Sequence, residues 1–141
     1  MTTPSSGFNG NRRVPVPVNE PVKSYAPGSP ERAALKDRLA SMSAERIDIP
    51  CIIGGKEVRS GDTAKSVMPH NHQHVLAEFH KATAADVDAA IEASRKAQRD
   101  WANWAWEDRA AVFLKAAEVL TTTHRATVNA ATMLGQSKTA F

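Results

Sequence analysis

The sequence predicts an α+β chain: an extended N-terminal arm, one helix, a small antiparallel sheet, then three helices. Three observations carry this. Six prolines fall within the first 30 residues. Apolar and β-branched residues alternate between 51 and 80, around a Gly-Gly pair. From Thr83 onward the apolar residues recur every three or four positions.

Pro4, Pro15, Pro17, Pro21, Pro27 and Pro30 punctuate the arm. Each removes a backbone donor and disfavours helix just before itself. Residues 1–30 are therefore expected to be extended and partly disordered, with the body over 31–141. No apolar run follows Met1, so no secretory signal is expected. Arg12-Arg13 is basic, but the surrounding prolines oppose the amphipathic helix of a mitochondrial presequence.

Ser29-Pro30-Glu31 reads as a helix start: a capping hydroxyl, proline at the first helical position, then an acid at the positive end. Leu35, Leu39 and Met42 form its apolar stripe, and the helix should end before Asp48-Ile49-Pro50. Cys51-Ile52-Ile53, Gly54-Gly55 and Lys56-Glu57-Val58-Arg59 read as a hairpin with a two-residue turn. Ala64 to Met68 is a further strand stopped by Pro69. Val75, Ala77 and Phe79 alternate with their neighbours along another. Thr83 with Asp86 three residues on is a variant capping box. The helix it opens carries Val87, Ile91, Ser94, Gln98 and Trp101 on one face. Glu107-Asp108 open the next, with Ala110, Phe113, Leu114, Ala117 and Leu120 as its stripe. The last helix should run from about His124 to Leu134, with Gly135 as its stop.

The composition excludes several function classes. With 141 residues, 42% hydrophobic and 23% charged, the chain is globular in character. No stretch approaches the ~18 consecutive apolar residues of a membrane span. The net charge is +3, of which Arg12 and Arg13 supply +2. The remaining 16 basic and 15 acidic residues nearly cancel, and no face concentrates the bases, so no nucleic-acid partner is expected. The single cysteine, Cys51, cannot form an internal disulfide.

Four groups could carry chemistry. His70, His72 and His74 alternate as strand ligands for zinc or copper would, but no companion cluster supplies a fourth ligand. Solvated histidines in a loop between two strands are the better reading. Gly135-Gln136-Ser137-Lys138-Thr139 hints at a phosphate loop. That motif needs glycines where Ser137 and Thr132 stand, and it needs a preceding strand. Cys51 has no adjacent base and reads as an inert thiol in an apolar strand. Trp101 continues the Val87 stripe, whereas Trp104 and Trp106 fall in the interhelical loop. Packing is their expected role, since no basic groove accompanies them. The residues by themselves show no catalytic constellation.

The order of elements resembles a known family. Ile53-Gly54-Gly55-Lys56 stands at the hairpin turn. Pro69 follows in a loop, then Val75-Leu76-Ala77-Glu78-Phe79 and Ala84-Ala85-Asp86-Val87-Asp88-Ala89-Ala90-Ile91. A tryptophan and Asp108-Arg109-Ala110-Ala111-Val112-Phe113-Leu114-Lys115-Ala116-Ala117 complete the pattern. Together they look like the N-terminal end of an aldehyde dehydrogenase, part of an α/β fold. Asn19-Glu20-Pro21-Val22, Pro27-Gly28-Ser29-Pro30-Glu31-Arg32, Ile49-Pro50-Cys51, Pro69-His70-Asn71-His72 and Ala131-Thr132-Met133-Leu134-Gly135-Gln136-Ser137-Lys138-Thr139 are similar to the Δ1-pyrroline-5-carboxylate dehydrogenase branch.

The resemblance covers about residues 19 to 141. It implies NAD-dependent oxidation of L-glutamate γ-semialdehyde to L-glutamate in proline catabolism. It also implies a small aldehyde substrate and a homo-oligomer when full length. The compartment would be cytoplasmic in a bacterium and the mitochondrial matrix in a eukaryote. In that family a cysteine thiolate attacks the aldehyde and a glutamate activates water. These groups and the NAD-holding glycines lie downstream, in a chain several times longer. No catalytic, cofactor-binding or metal residue is therefore carried onto this sequence; Cys51 matches an N-terminal strand, not the nucleophile loop.

The chain is expected to be an inactive N-terminal fragment that holds no NAD by itself. The alternatives are a small helical interaction module, a truncated isoform without catalysis, and a metal-binding module using His70, His72 and His74.

Overall fold

The computed structural model describes residues 14–140. The disorder expected for the first part of the arm falls on residues outside that range.

Residues 14–29 carry no regular helix or strand, yet the arm is tied down. Tyr25 is 8% exposed and belongs to the core. Its hydroxyl accepts a hydrogen bond from Asn129 Nδ2 at 2.9 Å, and its carbonyl accepts one from Arg32 Nη1 at 3.2 Å. Arg125 donates to the Pro21 carbonyl at 2.9 Å and lies 3.3 Å from Glu20. The prolines keep this segment extended. An aromatic ring and a half-buried guanidinium then fix its path.

Helix α1 spans Pro30–Ala44, with Ser29 as N-cap accepting from the Arg32 amide. Its stripe of Leu35, Leu39 and Met42 packs on helix α4, Arg125–Gln136, through Ala130 and Met133. Burying one such leucine is worth roughly 1.5–3 kcal/mol. This seam, closed by Tyr25 and Ala140, is the main apolar cluster.

The strands split into two sheets. Strands β1 (Ile47–Ile49), β4 (Thr63–Met68) and β5 (Asn71–His80) form one sheet in the order β1-β5-β4. β4 pairs antiparallel to β5, with register shifts at Ser66–Met68. β1 pairs parallel to β5, so the sheet is mixed and not wholly antiparallel. Three residues are too few to show an alternation, which is why β1 is invisible in the sequence pattern. Strands β2 (Cys51–Ile53) and β3 (Lys56–Val58) form the expected hairpin by themselves. Gly54 and Gly55 have φ of 56° and 77°, the two left-handed positions of a type I′ turn. The hairpin rests on helix α2, where a Cβ at Gly54 would stand 3.5 Å from Ala93 Cβ.

Helix α2 spans Ala84–Asn103 and opens on a complete capping box between Thr83 and Asp86. Helix α3 spans Trp106–Thr121. Trp104 caps α2 and Trp106 begins α3, so only one residue separates these two tryptophans and the loop expected there is nearly absent. Trp101 lies 5.5 Å from Trp104 and meets Phe113 edge-on at 6.3 Å, an aromatic cluster that holds the α2–α3 corner.

Helix α4 runs two residues past the expected end. Gly135 is helical, and Ser137, at φ 55°, supplies the left-handed stop instead. A hydrogen bond of 2.8 Å between Ser137 Oγ and His70 Nδ1 holds it there. The apolar faces of α2 and α3 are largely uncovered among the described residues: neither helix has a buried residue, and Phe113 is 67% exposed.

Candidate functional site

His70 sits in the tight β4–β5 turn, while His72 and His74 lie on β5. The loop of solvated histidines is therefore one turn residue followed by two strand residues. Their bonds pull them apart. His70 binds Ser137 at the end of α4, and His74 Nε2 donates to the Ser43 carbonyl at 2.8 Å, at the end of α1. His72 is exposed. Among the described residues, no three His, Cys, Asp or Glu side chains are placed to hold a metal ion. The histidines join elements of the fold, and His74 is half-buried in doing so.

Those ties border a groove of about 570 Å³. Leu39 and Ala40 of α1 and Met133 and Leu134 of α4 form its floor; Ser43, His70, Ser137 and Lys138 form its rim. An apolar floor with a few polar groups is the general form of a ligand site. The groove does not fit the pyrophosphate of NAD. Phosphate is held by free amides at a helix N-terminus. Ser137 and Lys138 follow the C-terminus of α4, where free carbonyls and the negative end of the helix dipole face outward. The phosphate-loop hint at Gly135–Thr139 fails on the same geometry.

Cys51 is half-buried on β2, and its thiol donates to the His80 carbonyl at 3.5 Å. That weak bond ties the hairpin to the end of β5.

A polar cluster that no sequence pattern marks forms at the open end of the mixed sheet. Asp48 on β1 accepts from Arg59 Nε at 2.8 Å, and its second oxygen lies 3.2 Å from His80 Nε2. Arg59 also reaches Glu57 at 2.7 Å. The hydrogen bond from Arg59 is the largest cause holding the Asp48 carboxyl below its ordinary range, and His80 adds to it. The Arg59 guanidinium is raised in turn, by Asp48 first and Glu57 second. Asp48 and His80 are 32 positions apart, so only the parallel β1–β5 pairing brings them together.

The chain's relatives agree on one family. The model for the aldehyde dehydrogenase family matches residues 57–140. A mitochondrial Δ1-pyrroline-5-carboxylate dehydrogenase of Dictyostelium discoideum is 45% identical over 128 residues, covering 91% of this chain and 23% of its own length. The human mitochondrial enzyme of that name is 42% identical over 122 residues, covering 86% of this chain and 22% of its own. Among solved structures, the NAD-bound Δ1-pyrroline-5-carboxylate dehydrogenase of Mycobacterium tuberculosis superposes with a TM-score of 0.87 at 46% identity. It covers 92% of this chain and 24% of that one. A Thermus thermophilus 1-pyrroline-5-carboxylate dehydrogenase gives 0.78 at 30% identity, over 86% and 23% of the two chains. This chain thus spans about a quarter of the relatives it matches. The family model covers more than half of the chain, and the chain belongs to the aldehyde dehydrogenase family.

Proposed function

We propose that this chain is the N-terminal part of an NAD-dependent dehydrogenase that oxidises L-glutamate γ-semialdehyde, formed from Δ1-pyrroline-5-carboxylate, to L-glutamate. The observation that carries the reading is 46% identity over 92% of the chain to an enzyme of that name solved with NAD. Aldehyde oxidation needs a nucleophile and a base, and both are proposed to reside on residues beyond these. Within the chain, the catalytic, cofactor-binding and metal-binding residues are proposed to number none. Its contribution is architectural: the α1–α4 seam, the mixed sheet and the hairpin present the outward faces of α2 and α3 to a larger body.

The division proposed is an arm over 1–30 and a family segment over 31–141. The active protein is proposed to be a homo-oligomer, cytoplasmic in a bacterium and in the mitochondrial matrix in a eukaryote. Among the described residues, no helix is long and apolar enough to cross a membrane.

A chimera tests the reading. These residues replace the matching quarter of the Mycobacterium tuberculosis enzyme, and NAD reduction is followed with Δ1-pyrroline-5-carboxylate. Retention of kcat/KM within about tenfold, a barrier change of ~1.4 kcal/mol, is expected. A folded, NAD-binding chimera inert towards that substrate would overturn the proposal.

A further inference from the structure

His80 ends β5, and its side chain is only 9% exposed. Both ring nitrogens are engaged. Nδ1 accepts from the Gly61 amide at 3.2 Å, and Nε2 faces Asp48 Oδ1 at 3.2 Å. A backbone N–H can only donate, so Nδ1 carries no hydrogen. A carboxylate can only accept, so Nε2 carries one. The two bonds independently require the same neutral tautomer. Through it the ring joins three separate pieces: β1, β5, and the link between β3 and β4, where the chain bends at Gly61 (φ 83°) and makes a turn at 60–62.

We propose that His80 is a proton-sensitive clasp: neutral, it locks the turn at 60–62 onto the end of β5, and on taking up a proton at Nδ1 it releases that turn while keeping hold of β1. Protonation sets the new Nδ1–H against the Gly61 N–H, two donors face to face, and that bond breaks. The Nε2–H bond to Asp48 becomes an ion pair and strengthens. The two halves of the clasp therefore respond to acid in opposite directions.

The surrounding charges shape how much moves. Asp48 from β1 faces the ring at 3.2 Å, and Arg59, bound to the other Asp48 oxygen, is itself partnered by Glu57 of β3. From the turn, Asp62 pairs with Lys81 at 3.0 Å, and the Asp62 carbonyl accepts from the Lys81 amide at 2.8 Å. Along β5, Glu78 is held by Arg46 at 2.6 Å. The Asp62–Lys81 bonds survive protonation, so the release is local and does not unfold the turn. The Cys51 thiol of the β2–β3 hairpin donates to the backbone carbonyl of the same histidine, a bond that the ring's protonation leaves in place.

Hydrogen exchange, read by mass spectrometry on the 141-residue chain and divided by the intrinsic rate at each pH, tests this without NAD or substrate. Protection at Gly61 should fall about fivefold between about pH 8 and about pH 5.5, the worth of one modest hydrogen bond. His80→Asn keeps an acceptor at the Nδ1 position and cannot titrate, so its protection should be the same at both pH values. His80→Gln places its amide at the Nε2 position and offers Gly61 nothing, so protection should be low at both. A flat native profile, or an Asn variant with the native slope, overturns the proposal. Ring ¹⁵N shifts of the native chain at about pH 8 give an independent check: hydrogen on Nε2 is expected, and hydrogen on Nδ1 overturns it.

Discussion

Asp86 accepts from both the amide and the hydroxyl of Thr83 at 2.8 Å each, while its own amide donates to Thr83 Oγ1 at 3.2 Å. The carboxylate form makes these bonds, so its pKa is lowered from 3.8, by the backbone bond first and the hydroxyl second. A depressed acid contributes stability above its unfolded value, and that contribution is lost as pH falls from 3.8 through the lower folded value. A ¹³C titration should place the Asp86 midpoint below 3.8 in the native chain. In Thr83→Ala it should return only part of the way, because the amide bond remains. An unmoved midpoint would mean that the hydroxyl contributes nothing. Thr83 and Asp86 are three residues apart, so this device is legible in sequence. The Tyr25–Asn129 and His80–Asp48 pairs are not, since 104 and 32 positions separate them.

Elements with a strong local code appear where the residues place them. The Ser29-Pro30 start, the capped start of α2 and the Gly54-Gly55 hairpin each rest on neighbours close in sequence, the widest hairpin pair being Cys51 with Val58. The hairpin yields a direct test. Gly55 sits at φ 77° with open space where a Cβ would go, so a side chain there meets backbone strain alone. Gly55→Ala should cost about 1–2 kcal/mol, read as a lower denaturant midpoint at unchanged slope. At Gly54, the added methyl lies at ordinary contact distance from Ala93, so Gly54→Ala should cost a similar amount, not a steric multiple of it. Elements whose boundaries depend on distant partners are the ones that shifted. α4 passes through Gly135 because His70 secures Ser137 as the stop, and β1 exists only because β5 lies beside it.

At the scale of the whole molecule, the buried residues among those described gather at the α1–α4 seam and on the β4–β5 pair, at Met68 and Ala77, while large apolar side chains stand exposed on α2 and α3. Tyr25, Leu35, Ala130 and Leu134 are buried around α1 and α4, whereas Ile91 and Phe113 stand exposed on α2 and α3. Apolar faces of this extent favour association or a covering partner. The 141-residue chain alone should therefore bind an apolar dye and associate with rising concentration in sedimentation. Ile91→Lys with Phe113→Lys should shift it towards monomer. A dye-free native monomer with a cooperative melt would instead support a self-sufficient interaction module.

The sequence alone determined the α+β order of elements, the capped helices, the hairpin and the family, because each is written in short-range patterns and residue identities. Tertiary structure alone decided the parallel β1–β5 pairing, the docking of the arm through Tyr25, the stop of α4 and the Asp48–His80 cluster. The physical reason is sequence separation: each of these is made by groups dozens of positions apart, joined only once the core seam and sheet have closed.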